Sequence, residues 1–319
     1  MNILITGAWK CTKEEWNALA AMGHTLLYMP EESGPLPTCL PDGTPVDYGW
    51  VEGVIANRLF LTHPLSAFPN LRYIQLTSAG LDRVPTEELA ARGITLRGAR
   101  GVYSIPMAEY ALWGVLSIYK EADRFAGNRA AHRWEKQTHL RELWGKRVLV
   151  VGCGRVGRAC AERFAAMGCS VTGVTPHPQT PGQGDAPFRA VFTPDRLDDC
   201  LPGADILILS CALTADTRHL LDSRRLALLP EGAVVVNLSR GAVADTEALT
   251  AALMPTPAGD PAHLGGAVLD VFEEEPLPPE HPLWDCPGVV LTPHNAFAGE
   301  GNRQRLFACI REGLEEQAQ

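Results

Sequence analysis

The chain has 319 residues, of which 46% are hydrophobic and 20% charged, and its formal net charge is −9. Its length exceeds what one ordinary hydrophobic core covers, so two domains are predicted. The acidic balance and the lack of any lysine or arginine run argue against a nucleic-acid partner. No apolar run reaches the roughly 18 residues of a membrane helix, so we expect no membrane partner.

Nine cysteines are scattered along the chain, and no two have C-x-x-C spacing. This pattern predicts reduced thiols, with neither a disulfide framework nor a metal site. The opening sequence MNILITGAWK is too short in its apolar part for a signal peptide. We therefore expect a cytoplasmic protein.

In chain order, the first hundred residues alternate strand-like and helical patterns, an order typical of a parallel sheet with crossover helices. The strand-like runs are NILIT, GVIAN, RYIQLT and ITLRG, and KEEWNALAAMG is helical up to its glycine. The proline-rich residues 30–47 predict a surface loop.

One long helical pattern then covers residues 105–126, and residues 146–174 read as strand, glycine turn, helix and strand. ADILILS, GAVVVNLS, GGAVLDV and GVVLT predict further strands, and the insertion at 254–265 predicts a surface loop. The last helical pattern, at 303–317, has too little chain around it to form its own domain, so we assign it to the first.

Gly152, Gly154 and Gly157 form G-x-G-x-x-G between the first strand and the helix of this unit. Such glycines permit a tight turn, close approach of the backbone to a pyrophosphate, and close packing of helix on strand. The helix N-terminus adds free N–H groups and a partial positive charge. In this context a dinucleotide site is favoured over a purely structural turn.

Three charged residues follow strand-like runs later in the chain. Arg240 could hold a carboxylate or merely cap a strand end, and the residues alone favour neither. Glu275 ends an acidic triplet whose other members, Glu273 and Glu274, are interpreted as a solvated surface. His294 is a single histidine, which in general is more often structural than catalytic.

These three residues point to a particular family because the motifs that contain them follow one another in a characteristic order. VVGCGRVGR, CALTADTRHLL, VVVNLSRGAVADTEAL, LDVFEEEPLP, HPLW and VVLTPHNA resemble, in order and spacing, successive motifs of the D-isomer-specific 2-hydroxyacid dehydrogenases. IANRLFLT and IQLTSAGLDRV resemble the substrate-side loops of that family, and GVYSIPMAEYALWGVLS resembles its interdomain helix. Tyr103, Ala212 and Asn295 depart from the commonest pattern and leave the subfamily open.

The resemblance implies roles for these side chains. His294 would donate a proton to the substrate carbonyl while NAD(P)H delivers hydride, and Glu275 would orient the imidazole and favour its protonated form. Arg240 would bind the carboxylate and polarise the carbonyl. The remaining substrate contacts implied are Arg58 and the backbone amides of Ser78, Ala79 and Gly80. On the cofactor side they are Arg155 and Val156 at the pyrophosphate, and Cys211, Leu238 and Asp270 at the ribose and nicotinamide.

The end of the second strand bears on the choice of cofactor. An acidic residue there binds the ribose hydroxyls of NAD and repels a 2′-phosphate. Thr175 occupies this position and His177 follows it, while Arg189 is the nearest arginine downstream. We therefore predict that NADP(H) is favoured and that NAD(H) is possible.

Together these observations predict an α/β protein with two doubly wound parallel-sheet domains. Residues 1–100 with 296–319 would form a flavodoxin-like substrate domain, and residues 101–295 a Rossmann dinucleotide-binding domain. The predicted function is reduction of a small 2-oxo acid, such as glyoxylate or hydroxypyruvate, by a homodimer that pairs through the helix from Pro106. The alternative is a dinucleotide-sensing regulatory protein on the same fold.

Overall fold

The computed structural model describes residues 1–39, 45–81, 83–179, 185–255, 259 and 261–317. It divides into two compact units: Met1–Tyr103 with Glu300–Gln319, and Ser104–Gly299. Each unit contains one sheet, and every strand pair within the two sheets is parallel. The predicted fold class is confirmed.

The described residues form twelve strands: β1 (Asn2–Thr6), β2 (Thr25–Met29), β3 (Gly53–Ala56), β4 (Tyr73–Leu76), β5 (Thr95–Arg97), β6 (Arg147–Val151), β7 (Ser170–Val174), β8 (Ala190–Phe192), β9 (Ile206–Leu209), β10 (Val234–Asn237), β11 (Gly266–Leu269) and β12 (Val289–Leu291). The α-helices in the same residues are α1 (Lys13–Ala21), α2 (Leu59–Thr62), α3 (Thr86–Ala91), α4 (Ser104–Tyr119), α5 (Ala122–Ala130), α6 (Arg155–Ala166), α7 (Leu197–Cys200), α8 (Ser223–Leu226), α9 (Thr246–Leu253) and α10 (Asn302–Glu316).

The first unit has the strand order β2-β1-β3-β4-β5, which is the flavodoxin-like order. Because side chains alternate along a strand, the two faces of this sheet bury different cores. On one face the core includes Ile3 and Tyr73, and the buried side of α10 packs there through Leu306, Ile310 and Leu314. A Cβ at Gly313 would lie only 2.3 Å from the Tyr73 hydroxyl, so this helix position requires glycine.

The second unit has the strand order β12-β11-β10-β9-β6-β7-β8. Chain order starts in the middle, at β6, and runs outward first through β7 and β8 and then through β9 to β12, as in a Rossmann fold. Val148 and Val150 belong to the core on one face, and Leu149 and Val151 to the core on the other. The order reverses between β6 and β9, and ligands of such sheets bind beyond the carboxyl ends of the strands at this point.

Three elements differ from the sequence prediction. β2 and β8 were not predicted: β2 is an edge strand of mixed exposure, and β8 has only three residues. The continuous helix predicted over 105–126 is wrong, because Glu121 adopts a left-handed conformation (φ 49°) and separates α4 from α5. Of the predicted surface loop at 254–265, residues 256–258 and 260 lie outside the described part of the chain.

Candidate active site

The glycine turn after β6 fits the approach of a phosphate group. Gly152 has φ +97°, and a Cβ there would lie 2.5 Å from the backbone nitrogen of Cys211. A Cβ at Gly157 would lie 2.0 Å from the carbonyl oxygen of Gly152, so neither position tolerates a side chain. A Cβ at Gly154 would meet no described atom within 4 Å. The protein therefore leaves open space at the N-terminus of α6, where a pyrophosphate could contact the backbone.

The other predicted cofactor residues around this turn differ in exposure. Arg155 is exposed and Val156 is half-buried at the start of α6. Cys211 lies against Gly152, and burial raises the pKa of its thiol to about 11, so it is a packing group and not a thiolate nucleophile at neutral pH. The side chain of Leu238 is packed in the core, with 3% of the residue exposed, so only its backbone is placed to face a ligand.

At the end of β7, Thr175 is half-buried and donates its backbone N–H to the carbonyl of Phe192 at 2.9 Å, while His177 is exposed. The backbone N–H of Arg189 donates to the carbonyl of Val171, near the beginning of β7. The backbone of Arg189 therefore lies at the opposite edge of the sheet from Thr175. A cation that sequence reasoning missed lies on the same edge as Thr175. The guanidinium of Arg196, just beyond β8, is 5.7 Å from the centre of the Phe192 ring.

His294 and Glu275 are in direct contact. Nδ1 of His294 lies 3.0 Å from Oε2 of Glu275, and the two side chains are 42% and 39% exposed. The other carboxylate oxygen, Oε1, accepts the backbone N–H of Phe272 at 3.1 Å. The backbone of its own loop thus holds Glu275 in place. Because Glu275 contacts Nδ1, Nε2 is the imidazole nitrogen left to exchange a proton with a substrate.

Asp270 fixes the loop that carries His294. Only 2% of Asp270 is exposed. Its Oδ1 accepts the hydroxyl of Thr292 at 2.6 Å and the N–H of Asn295 at 2.7 Å, and its Oδ2 accepts the N–H of Ala296 at 2.9 Å. His294, with φ +52°, donates its N–H to the Asp270 carbonyl at 2.8 Å. Both carboxylate oxygens of Asp270, a residue predicted to line the cofactor site, therefore accept hydrogen bonds from this loop.

Arg240 follows β10 and is half-buried. The side-chain amide of Asn237 donates to its carbonyl oxygen at 3.1 Å. The next residue, Gly241, is in tight contact with the loop beyond β11, because a Cβ at Gly241 would lie 1.9 Å from the carbonyl carbon of Phe272. The backbone that carries Arg240 and the loop that leads to Glu275 are therefore packed against each other.

The predicted substrate contacts of the first unit lie at the carboxyl ends of two neighbouring strands. Arg58, after β3, is exposed, and its backbone N–H donates to Oε2 of Glu32 at 2.7 Å. In the turn Ser78–Gly80, after β4, the serine hydroxyl donates to the glycine carbonyl at 3.0 Å. Arg83 donates to the side-chain oxygen of Asn57 and so joins the two loops. Sequence reasoning did not single out Glu32, which no motif marks, or Arg83, although Arg83 lies in the motif IQLTSAGLDRV.

In the second unit, the predicted residues share one edge of the sheet. Each follows the carboxyl end of a parallel strand: Gly152 after β6, Thr175 after β7, Cys211 after β9, Arg240 after β10, Asp270 after β11 and His294 after β12. This is the edge at which a Rossmann sheet binds its dinucleotide. In the described part of the chain, no group of three or more His, Cys, Asp or Glu side chains could hold a metal ion.

Comparison with known proteins agrees with this geometry. Residues 112–296 match the family model described as D-isomer specific 2-hydroxyacid dehydrogenase, NAD binding domain. A glyoxylate reductase of Thermofilum pendens is 34% identical over 258 residues, which cover 78% of this chain and 73% of that protein. An (S)-sulfolactate dehydrogenase of Chromohalobacter salexigens is 32% identical over 255 residues, 79% of this chain and 80% of that protein.

A crystal structure of a D-isomer specific 2-hydroxyacid dehydrogenase from Xanthobacter autotrophicus, in complex with NADPH and MES, superposes with a TM-score of 0.74. It is 27% identical, and the superposition covers 99% of this chain and 95% of that chain. These relatives are named as dehydrogenases and a reductase, so the regulatory-protein alternative is not favoured. The chain belongs to the D-isomer specific 2-hydroxyacid dehydrogenase family.

Proposed function

We propose that this protein reduces a small 2-oxo acid to a D-2-hydroxy acid with a nicotinamide dinucleotide as cofactor. The observation that carries the proposal is the pair of His294 and Glu275, 3.0 Å apart, on the edge of the sheet where a dinucleotide binds. When bound, the reduced cofactor supplies the hydride. The protonated imidazole of His294 supplies the proton to the substrate carbonyl oxygen from Nε2.

Glu275 orients the imidazole. Its carboxylate accepts from Nδ1 and leaves Nε2 as the nitrogen that donates the proton. After transfer the imidazole is neutral, with its remaining proton on Nδ1 towards Glu275, and it regains a proton from water. In the direction of oxidation, the same neutral imidazole would take the proton from the hydroxyl group.

The substrate is proposed to be held by its carboxylate. A guanidinium fork at Arg240 can bind two oxygens of a 2-oxo acid and draw charge from its carbonyl. The backbone amides of Ser78–Gly80 and the exposed Arg58 are proposed as further contacts. Small acids such as glyoxylate and hydroxypyruvate are the first candidates, and 3-sulfopyruvate belongs in the same panel because of the sulfolactate dehydrogenase relative.

We propose that NADPH is preferred over NADH. Thr175 offers a hydroxyl where an acid would repel a 2′-phosphate. The guanidinium of Arg196 lies on the same edge beside Phe192, whose carbonyl binds the N–H of Thr175. Arg196 also pairs with Asp199 at 2.6 Å, which partly offsets its charge. The loop at 180–184 lies outside the described residues.

A homodimer and a reducing compartment complete the proposal. Trp113 (51% exposed), Phe125 (38%) and Trp134 (96%) present apolar surface on and just after the helices α4 and α5. A second copy of this chain is the proposed partner for that surface. A monomer in sedimentation at micromolar concentration would contradict this.

All nine cysteines are free thiols, which supports the cytoplasm as the compartment. Among the described residues, no helix is long and apolar enough to span a membrane.

Steady-state oxidation of NADPH and NADH with glyoxylate, hydroxypyruvate, pyruvate and 3-sulfopyruvate tests the function. We expect at least one acid to be reduced, with a higher kcat/KM for NADPH than for NADH. Chiral analysis of the product from hydroxypyruvate, pyruvate or 3-sulfopyruvate should identify the D-isomer; the glycolate formed from glyoxylate has no stereocentre. If the purified protein binds NADPH but reduces none of these acids, the proposed function fails.

A further inference from the structure

The first glutamate of the acidic triplet, Glu273, is tied into the fold although it was interpreted as part of a solvated surface. Its Oε1 accepts the backbone N–H of Thr246 at 3.0 Å and the hydroxyl of the same residue at 2.8 Å. Its Oε2 lies 2.9 Å from Nε2 of His219. In the described part of the chain, Glu274 makes no hydrogen bond or ion pair. Two adjacent glutamates therefore have very different surroundings.

The charge of Glu273 is stabilised where it lies. Burial raises the pKa of its carboxyl group, but hydrogen bonds from His219 and Thr246 outweigh that effect and bring the pKa below its ordinary value. Arg218 places a guanidinium 4.0 Å from Oε2, and Asp245 lies 4.0 Å from Nδ1 of His219. The bonds from His219 and Thr246 keep Glu273 anionic at neutral pH, so its hydrogen bonds are charge-assisted.

His219 connects Glu273 with the backbone beyond Arg240. Its own backbone is left-handed, with φ +48°, a conformation that an ordinary side chain adopts only under constraint. Its N–H donates to the carbonyl of Ala242 at 2.7 Å, and two residues later Leu221 pairs with Ala244 in a parallel bridge. The imidazole thus reaches Glu273 from a segment that is fixed to residues 242–244.

These bonds converge on the short turn between Phe272 and Glu275. The turn is closed by the 3.1 Å bond from the Phe272 N–H to Glu275, and its other side rests on Gly241. Glu273 lies inside the turn and is the side chain that fastens it to the N-terminus of α9 and to His219. A movement of Glu273 would therefore move the carboxylate that touches His294.

We propose that Glu273 is a positioning residue for the reaction. It fastens the turn of residues 272–275 to the segment of residues 242–246, so that the Glu275 carboxylate stays in contact with His294. It touches neither substrate nor cofactor in this proposal, which rests on the proposed function of His294 and Glu275. The partners Thr246 and His219 are its anchors. Through His219, the end of the motif CALTADTRHLL, which has no catalytic role, takes part in this positioning.

Glu273→Ala and Glu274→Ala form a matched pair, because both remove one carboxylate from the same triplet. Glu273→Ala should lower kcat by up to about tenfold, no more than loss of the Glu275 charge itself costs, because it acts only through the contact of Glu275 with His294. Glu274→Ala should stay within about twofold of the unmodified protein, since it loses no bond. Binding of NADPH, followed by fluorescence, should be unchanged in both. Equal activities of the two variants would overturn the proposal.

A double-variant cycle separates positioning from general stability. In a Glu275→Gln background, the added Glu273→Ala change should lower kcat by less than about twofold, because the group it positions is already lost. Multiplicative losses would show that Glu273 acts by another route and would overturn the proposal.

One readout does not depend on activity. In a crystal structure of Glu273→Ala, the contact between Glu275 and His294 should lengthen beyond hydrogen-bond distance. A retained 3.0 Å contact in that variant would overturn the proposal even if no 2-oxo acid is reduced. Inactivity of the unmodified protein, by contrast, would count against the proposed function and leave this structural test in place.

Discussion

Replacing Glu275 by glutamine tests the proposed proton donor through its partner and leaves the imidazole of His294 intact. The amide keeps the size of the side chain and its ability to accept the Phe272 N–H, but it loses the negative charge 3.0 Å from Nδ1. The imidazole then has no anionic partner while it donates the proton from Nε2. We therefore expect the proton transfer, and with it kcat, to be slower.

The size of the effect follows from distance and exposure. Unit charges about 4 Å apart attract by roughly 1 kcal/mol in water and by roughly 4 kcal/mol at an effective dielectric constant near 20. The two side chains are 39% and 42% exposed, so solvent screens most of the larger value. An energy of about 1.4 kcal/mol corresponds to a tenfold change in rate, so we expect a loss of kcat of about tenfold.

The assay is kcat for reduction of the best 2-oxo acid, with NADPH and substrate saturating. Glu275→Gln should lower kcat about tenfold, and Glu274→Gln should leave it within about twofold of the unmodified protein. A near-normal kcat in Glu275→Gln would refute the role of Glu275 as the partner of the proton donor.

Four further outcomes are expected. His294→Ala should lower kcat by a factor of about 10² to 10⁴, measured under saturation, and near-normal kcat would mean that the proton comes from another group. Arg240→Lys should raise KM for the 2-oxo acid about tenfold or more, since the charge stays but the two-pronged contact is lost; an unchanged KM would contradict carboxylate binding there. Thr175→Asp should reverse the preference from NADPH to NADH, as read from the ratio of kcat/KM values, and a better use of NADH by the unmodified protein would contradict the predicted preference. For Asp205, burial raises the pKa but bonds from Arg147 bring it below the ordinary value, so the stability it contributes is present above about pH 4 and lost as the pH falls through the folded-state value. Asp205→Asn should therefore cost about 1 kcal/mol in urea unfolding at pH 7 and little at pH 2, and an equal cost at both would argue against the ion pair.

The sequence was sufficient for those parts of the molecule that depend on local pattern. Alternating apolar runs predicted most strands of both sheets, and the glycine spacing located the turn at Gly152, where positive φ and a nearby backbone exclude any side chain. The order of motifs predicted the pairing of Glu275 with His294, which the structure brings within 3.0 Å. Their catalytic roles stay predictions.

What the sequence did not reveal depends on contacts between distant segments. Nothing near Glu121 is a glycine or proline, yet the helix ends there; Glu121 accepts hydrogen bonds from Gln137, and Lys120 donates to the Arg141 carbonyl at 2.6 Å. These partners lie 16 and 21 residues further along the chain. Propensity over a short window does not include them.

The same limit explains the misinterpretation of Glu273. A run of three glutamates has the composition of a solvated surface, and only the folded chain brings His219 to it across 54 residues. Arg196 was overlooked for a similar reason, because its place on the same sheet edge as Thr175 depends on the parallel pairing of β7 with β8. In both cases the sheet topology had to be known first.

The return of α10 to the first unit has a consequence for synthesis on the ribosome. Leu306, Ile310 and Leu314 complete the core around Ile3 and Tyr73, so that core lacks these side chains until synthesis has passed residue 314. The second unit is continuous in sequence and has all its residues, 104–299, before α10 emerges. Vectorial synthesis therefore favours folding of the later-encoded Rossmann unit first, while the earlier-encoded unit waits with an apolar sheet face uncovered.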